Sequence, residues 1–189
     1  VAALENVYVL DHARARQRIE AIIAALHRYE PEISSLKGIG FCVTTKHAQF
    51  MAEQFNQNGI PSAAFVSGIE DNRCAELLND LKDGRLGFLF TVDKLSEGVD
   101  VPEVNTVLFL RPTESLTVFL QQLGRGLRHA PGKDCLTVLD FVGQAHRRYR
   151  VDTKLKALLP RHRLSIDKEV EFNFPHLPAG CSIQLDRLS

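Results

Sequence analysis

Apolar and polar positions follow two different periods along the chain, and together these periods predict alternating strands and helices. Short apolar runs that are typical of buried strands occur at residues 41–44, 63–66, 86–90, 106–110 and 135–141. Apolar residues spaced as in an amphipathic helix occur at residues 12–29, 48–55, 71–83 and 115–128. In the helix over residues 71–83, the pattern places Ala75, Leu78 and Leu81 on the buried face.

Strands that are apolar throughout and are separated by helices indicate an α/β fold. Such strands pair in a mostly parallel sheet, here of about five to six strands, with helices on both faces. The crossover connections of such sheets are right-handed, and ligands bind at the carboxyl ends of the strands. Functional residues are therefore expected in the loops that follow the strands.

The pattern divides the chain into three regions. Residues 1–35 form a helical lead-in that is predicted to pack on the sheet. Residues 36–143 carry the strand and helix alternation and form the central domain. Residues 144–189 combine a basic helix with an extended tail, which we expect to lead into a further domain.

Composition narrows the class of protein. The 189 residues are 44% hydrophobic and 24% charged, which is typical of one compact globular domain. No apolar run approaches the roughly 20 residues that span a bilayer, so we expect a cytoplasmic protein without a membrane partner. Cys42, Cys74, Cys135 and Cys181 form no CxxC pair, which predicts reduced core cysteines and no zinc site.

Charge is balanced overall but is unevenly distributed. The chain has 23 Lys and Arg residues against 23 Asp and Glu residues. Residues 121–163 nevertheless contain ten basic and three acidic side chains. A local basic stretch attracts polyanions whatever the net charge is. On charge alone, a nucleic-acid-binding surface and a solvated helix face both remain open.

A complete phosphate-binding loop is not found in the sequence. The nearest match to GxxxxGK[ST] runs from Gly126 to Lys133, with one residue too many between the glycines. Asp134 also stands where the motif needs a hydroxyl group, and its carboxylate would repel phosphate. We therefore do not interpret this stretch as an ATP site.

Two other stretches carry side chains suited to a nucleotide. Residues 97–102 (EGVDVP) follow the third predicted strand, where Gly98 permits close approach and Asp100 could accept hydrogen bonds from ribose. Residues 121–128 (QQLGRGLR) place Arg125 and Arg128 three positions apart, and two guanidinium groups suit a phosphoryl group that develops charge. Taken singly, each stretch also has a structural interpretation. Residues 97–102 can be an ordinary loop, and residues 121–128 can be a helix end capped by arginines.

Taken together, the two stretches resemble motifs V and VI of the C-terminal RecA-like lobe of superfamily 2 helicases. The resemblance is to the DEAD/DEAH-type enzymes, in the bacterial branch that is similar to restriction enzymes. Residues 97–102 match motif V, residues 121–128 match motif VI, and residues 40–47 (GFCVTTKH) are similar to motif IV. The resemblance covers about residues 36–143.

The resemblance implies a role for particular residues. Arg125 and Arg128 would act as arginine fingers on ATP, and Gln121 would couple that site to motif V. Glu97, Gly98 and Asp100 would lie at the nucleotide. The nucleic-acid backbone would be contacted by Thr44, Thr45, Ser67, Gly68 and Thr91. No metal ligand is expected on this chain, because ATP and Mg²⁺ would be held mainly by the first lobe.

The resemblance also implies a function. The chain would be the C-terminal motor lobe of an ATP-dependent helicase or translocase, inactive as an ATPase without the first lobe. Its partners would be a nucleic acid, expected to be DNA, and the N-terminal RecA-like lobe of the same polypeptide. Two alternatives stay open: a nucleic-acid-binding module that uses residues 147–163, and a DNA translocase that does not separate strands.

Overall fold

The computed structural model of the chain describes residues 12–30, 32–92, 101–111, 133 and 135–141. Three helices are described: α1 (His12–Tyr29), α2 (Thr45–Gln57) and α3 (Asp71–Lys82). A short 3-10 helix, Ile33–Ser35, precedes the first strand. The strands are β1 (Gly38–Phe41), β2 (Ser62–Phe65), β3 (Phe88–Thr91), β4 (Thr106–Phe109) and β5 (Thr137–Asp140). The helices predicted after residue 114 lie outside the described residues.

The five strands form one parallel sheet in the order β2-β3-β1-β4-β5. Their pairing is in register, so the last residues of all five strands lie in one row across the sheet: Phe65, Thr91, Phe41, Phe109 and Asp140. The carboxyl ends of the strands therefore meet at a single edge. The predicted parallel α/β architecture is confirmed.

Helices cover both faces of the sheet. On one face, α1 and α2 bury Ile19, Ile22, Leu26, Met51 and Phe55 against Phe88, Phe90 and Leu108, and we call this the α1–α2 cluster. On the other face, α3 buries Cys74, Leu77 and Leu81 against Ile39, Phe41, Leu89 and Val107, and we call this the α3 cluster. The face predicted for α3 is thus partly wrong, because Ala75 is exposed and Leu78 is only partly buried.

The first strand begins three residues earlier than its apolar run predicts. Residues 38–41 pair with both β3 and β4, whereas residues 42–44 of the predicted strand form the loop that leads into α2. Two glycines account for the earlier start of β1. Gly38 and Gly40 lie opposite Phe88 and Phe90, and the rings of these phenylalanines cover the glycine positions. The aromatic rings supply the packing that the glycines lack.

The described cysteines are free thiols. Cys42 and Cys74 are buried, as predicted, but Cys135 is exposed, so the expectation of a core position is wrong for Cys135. Cys135 precedes β5, the half-exposed strand at one side of the described sheet. Cys181 lies outside the described residues. Among the helices described, none is long and apolar enough to cross a membrane.

Candidate nucleic-acid interface

The strand order places the carboxyl ends of the neighbouring strands β1 and β3, Phe41 and Thr91, side by side at one edge of the sheet, and we call this place the crevice. After β1 the chain enters α2, which packs on the α1–α2 cluster. Before β4 the chain passes through Val101 and Val104, which belong to the α3 cluster on the opposite face. Adjacent parallel strands whose connections leave toward opposite faces are the usual place for a ligand in an α/β sheet.

Thr44 borders this crevice and caps α2. Its backbone is extended, with φ −139° and ψ 163°, and its hydroxyl oxygen accepts a hydrogen bond from the backbone N–H of His47 at 3.2 Å. Threonine is a favoured residue at this position because its side chain satisfies a backbone donor that has no partner within the helix. The hydroxyl retains its own proton, which it can donate to an acceptor such as a phosphate oxygen.

Two exposed residues follow Thr44 in the first turn of α2, Thr45 and Lys46. The first backbone N–H groups of a helix point outward and attract anions. The Lys46 ammonium group adds a full positive charge beside them. Lys46 was not among the residues predicted for the interface, although its position directly after the paired threonines is the signal that could have identified it.

His47 lies below this turn and is completely buried. Its Nδ1 accepts a hydrogen bond from the backbone N–H of Val43 at 3.3 Å. Burial lowers the pKa of His47 to about 4, and the positive charge of Arg18 on α1 contributes to this shift. The imidazole is therefore neutral near pH 7. Sequence reasoning gave His47 no function, because a single histidine in a helix carries no local signal.

The second predicted contact is the turn Ser67–Gly68, which follows β2 at the same edge. Both residues are exposed. Gly68 has φ +90°, a conformation that other residues adopt only with strain. Apart from its two chain neighbours, no described residue has an atom within 4 Å of the place where a Cβ would stand. The backbone of this turn is therefore accessible. The turn follows β2, which is the neighbour of β3 in the sheet.

Thr91 differs from the other predicted contacts because it is completely buried. It is the last residue of β3, and its carbonyl accepts a hydrogen bond from the backbone N–H of Cys42 at 2.7 Å. Within the described part of the chain, no partner for its hydroxyl is found. Thr91 thus joins β3 to the loop after β1, and its side chain is not presented at the surface.

Cys42, at the base of the crevice, is not activated as a nucleophile. Burial raises the pKa of its thiol far above the ordinary value, and the positive charge of Arg111 opposes this only in part. The neutral thiol packs within the α1–α2 cluster. Cysteine reactivity depends on the thiolate, so this residue has a structural role.

The remaining predicted site residues lie outside the described residues: Glu97, Gly98, Asp100, Gln121, Arg125 and Arg128. Their assigned roles stay predictions. In the part of the chain that is described, no group of His, Cys, Asp or Glu side chains is arranged to hold a metal ion.

Lys133, the lysine of the rejected phosphate-loop match, has a structural contact. Its Nζ donates a hydrogen bond to the carbonyl oxygen of Pro102 at 3.0 Å. Partial burial lowers the pKa of this lysine, while the charges of Cys135 and Glu103 act in the opposite direction. The contact joins the segments that precede β4 and β5.

The sequence matches the family described as helicase conserved C-terminal domain over residues 17–130. This match spans more than half of the chain, and the chain belongs to that family. The matched region begins inside α1, includes the rest of that helix and contains every later described element except β5.

Two curated relatives illustrate the family. The chain is 29% identical over 128 residues to IRC3 of Saccharomyces cerevisiae, whose name describes an ATP-dependent helicase; the match covers 67% of this chain and 19% of that protein. It is 33% identical over 144 residues to the UvrABC system protein B of Chlamydia pneumoniae, covering 72% and 20% respectively. The chain thus spans about a fifth of the length of each of these relatives.

Solved structures show the same fold. A fragment assigned to an HsdR subunit of a type I restriction enzyme from Vibrio vulnificus superposes with a TM-score of 0.57 at 25% identity, covering 69% of this chain and 27% of that chain. Domain 2 of the DEAD-box helicase Mss116p, bound to an RNA duplex, has a TM-score of 0.52 at 25% identity, covering 67% and 49%. The predicted RecA-like class and the superfamily 2 resemblance, including its restriction-enzyme-like branch, are confirmed.

Proposed function

We propose that this chain is the C-terminal motor lobe of an ATP-dependent helicase or translocase, and that it contributes half of an ATPase site and half of a nucleic-acid track. The observation that carries the proposal is the strand order, which sets the end of β1 beside the end of β3 at the carboxyl edge, in a chain that belongs to the helicase C-terminal family. Motors of this kind couple hydrolysis to movement because two lobes close around the nucleotide.

The nucleic-acid track is proposed to run along the carboxyl edge of the sheet. Thr44 and Thr45 would contact one phosphate group with a hydroxyl proton and with the backbone N–H groups at the start of α2. The Ser67–Gly68 turn would contact a neighbouring phosphate group, since β2 lies two strands from β1, about 10 Å away. Contacts of this kind address the backbone, so binding would tolerate different base sequences.

The burial of Thr91 changes the role predicted for this residue, which was a contact with the nucleic-acid backbone. A completely buried hydroxyl cannot reach a phosphate group at the surface. We therefore propose that Thr91 acts through the backbone, where its carbonyl oxygen holds the loop after β1 through Cys42. The track then consists of Thr44, Thr45, Ser67 and Gly68, with Lys46 as an added charge.

The catalytic proposal concerns residues 97–100 and 121–128. Arg125 and Arg128 would neutralise the charge that develops on the γ-phosphate, with Gln121 linking them to motif V. Glu97, Gly98 and Asp100 would lie on the ribose side of the nucleotide. ATP and Mg²⁺ would be held mainly by the first lobe of the same polypeptide. An arginine finger supplied by a second body contributes about 10³–10⁵-fold to phosphoryl transfer.

The test of this proposal is the DNA-stimulated ATPase activity of the full-length protein, wild type beside Arg125→Ala. We expect a loss of about 10³-fold or more in rate, with nucleotide and DNA binding retained. An unchanged rate would contradict the arginine-finger assignment. Magnesium-dependent ATP turnover by the 189-residue chain alone would contradict the half-site proposal.

The two alternatives give different outcomes in the same protein. If the chain is only a binding module, neutralising Arg147, Arg148 and Arg150 abolishes nucleic-acid binding while Arg125→Ala leaves the ATPase activity intact. If the protein is a translocase that leaves the duplex closed, it hydrolyses ATP on DNA but releases no strand in a displacement assay. Parallel assays on RNA decide between the two nucleic acids.

A further inference from the structure

We infer that His47 is a positioning residue for the nucleic-acid track: its buried imidazole holds the Val43–Thr44 turn in the form that presents Thr44 and Thr45. The inference rests on the proposed function, because it assigns a support to a contact that is itself proposed. His47 would not touch the nucleic acid.

Two hydrogen bonds join His47 to this turn in opposite directions. The backbone N–H of His47 donates to the Thr44 hydroxyl oxygen at 3.2 Å. The backbone N–H of Val43 donates to Nδ1 of the His47 side chain at 3.3 Å. A capping box has the same reciprocal logic, with a Glu or Gln side chain returning to the backbone before the helix. Here the histidine takes the place of that Glu or Gln.

The protonation state of His47 suits this role. A neutral imidazole offers one acceptor nitrogen and one donor nitrogen, whereas a protonated imidazole offers two donors. Because the Val43 N–H donates to Nδ1, the proton of the neutral ring is on Nε2. Burial and the nearby positive charge of Arg18 keep the ring neutral near pH 7. The acceptor is therefore present under ordinary conditions.

The specific contribution of the imidazole is this acceptor and not its volume. The side chain is completely buried in the first turn of α2, and Ala48 and Met51 of the same helix supply apolar packing in the α1–α2 cluster. A leucine would fill similar space and would avoid the cost of burying a polar ring. It would leave the Val43 N–H without this partner, so the turn would lose the bond that fixes its direction.

Loss of the bond between Val43 and His47 would affect the proposed phosphate contact of Thr44 and Thr45 through the backbone. Val43 is followed directly by Thr44, whose extended conformation sets the direction of its hydroxyl group. Thr45 and Lys46 then begin the helix with outward N–H groups. Releasing Val43 would therefore disturb the presented groups without removing any of them. This is the behaviour that distinguishes a positioning residue from a contacting one.

The experiment compares three variants of the 189-residue chain for binding of a fluorescein-labelled, mixed-sequence single-stranded oligonucleotide. His47→Leu removes the acceptor, His47→Gln keeps one, and Met51→Leu is a control for a buried change in the same helix. We expect His47→Leu to weaken binding about three- to tenfold, which corresponds to one lost hydrogen bond. His47→Gln and Met51→Leu should stay within twofold of the wild type.

A second readout follows the turn itself. Amide hydrogen exchange at Val43 should accelerate in His47→Leu and remain slow in His47→Gln, because only the latter retains a hydrogen-bond acceptor. If His47→Leu does not fold, His47→Met serves in its place, since its flexible side chain fills irregular core space. Equal weakening of binding by His47→Leu and Met51→Leu would overturn the inference, because a general loss of packing would then explain both.

Thr44→Val separates this inference from the proposed function. If Thr44→Val weakens binding and His47→Leu does not, the track stands and the role of His47 is wrong. If neither the wild type nor any variant binds the oligonucleotide, the proposed track fails at this surface, and the role of His47 fails with it.

Discussion

The rings of Phe88 and Phe90 occupy the space in which most residues at positions 38 and 40 would place a Cβ atom. A Cβ on Gly40 would lie 2.4 Å from two atoms of the Phe90 ring, and a Cβ on Gly38 would lie 2.1 Å from the Phe88 ring. The two rings stack with centroids 5.7 Å apart, and Phe55 of α2 lies edge-on to both. Since all three rings are buried, none of them can turn away freely.

Gly40→Ala should therefore destabilise the fold by overpacking. We expect a loss of about 1–3 kcal/mol in the free energy of unfolding, measured by urea denaturation. Adding Phe90→Leu should reduce that loss, because the smaller side chain makes room for the methyl group. Gly84→Ala is the control: apart from its chain neighbours, no described residue lies within 4 Å of the new Cβ, so only its φ of +75° costs energy. Additivity in the Gly40–Phe90 pair would contradict steric coupling.

The buried His47 makes stability depend on pH on the acid side. Its pKa is about 4 in the folded chain against an ordinary value of 6.5, so the unfolded chain takes up a proton first as pH falls. The free energy of unfolding therefore keeps its full value above pH 6.5 and decreases as the pH falls from 6.5 to 4. Below pH 4, the total loss is about 3 kcal/mol.

His47→Gln removes this titration. Urea denaturation of the wild type and the variant at several pH values from 7.5 to 4 should give curves that diverge, with the wild type losing more stability. Other titrating groups contribute to both proteins, so the difference between the two curves isolates His47. Parallel curves would show that the histidine is not held neutral by burial and Arg18.

At the scale of elements, Asn105 joins the amino ends of the strands at the edge opposite the crevice. Its Oδ1 accepts from the backbone N–H of Lys37 at 2.9 Å, and its Nδ2 donates to the Ser35 carbonyl at 2.8 Å. Its backbone carbonyl accepts from the N–H of Thr137 at 2.8 Å. One residue thus ties the 3-10 helix, β1, β4 and β5 together before the strands run toward the site.

Asn105→Ala should cost about 1–3 kcal/mol of stability, because the Lys37 N–H and the Ser35 carbonyl lose their side-chain partner. Asn58→Ala is the matched control. The Asn58 side chain also bonds a carbonyl at 2.8 Å, but that carbonyl belongs to Gln54 in the preceding helical turn. Chemical denaturation should show a change of about 0.5 kcal/mol or less for Asn58→Ala. Equal costs would mean that Asn105 has no long-range role.

Elements with a local cause could be predicted from the sequence, and elements with a nonlocal cause could not. The helix predicted over residues 12–29 agrees with α1, because the apolar spacing that indicates this helix lies within the helix itself. The position of β1 depends on Phe88 and Phe90, about 50 residues later, and no local period shows that pairing. Within the candidate site, the turn at Ser67–Gly68 follows from turn chemistry, whereas the burial of Thr91 depends on the surrounding sheet.

At the scale of the whole molecule, a formal net charge of zero coexists with a proposed nucleic-acid track. Each edge of the sheet carries a lysine that can be compared with the other. Lys46 is exposed at the carboxyl edge beside the crevice, whereas Lys37 lies at the amino edge with its Nζ bonded to the Lys82 carbonyl at 2.5 Å. Overall charge therefore says little about binding, and the placement of single lysines can be tested instead.

The salt dependence of binding distinguishes these two lysines. Each phosphate charge neutralised on a single strand adds about 0.7 to the negative slope of log affinity against log salt concentration. Lys46→Gln should therefore weaken binding of a labelled single-stranded oligonucleotide and make that slope shallower by about 0.7. Lys37→Gln removes the same charge at the opposite edge and should leave the slope unchanged, although it loses a structural hydrogen bond. Equal slopes in both variants would place the phosphate contact elsewhere than the start of α2. A shallower slope in Lys46→Gln alone would locate the track at the carboxyl edge, because the two variants have the same net charge.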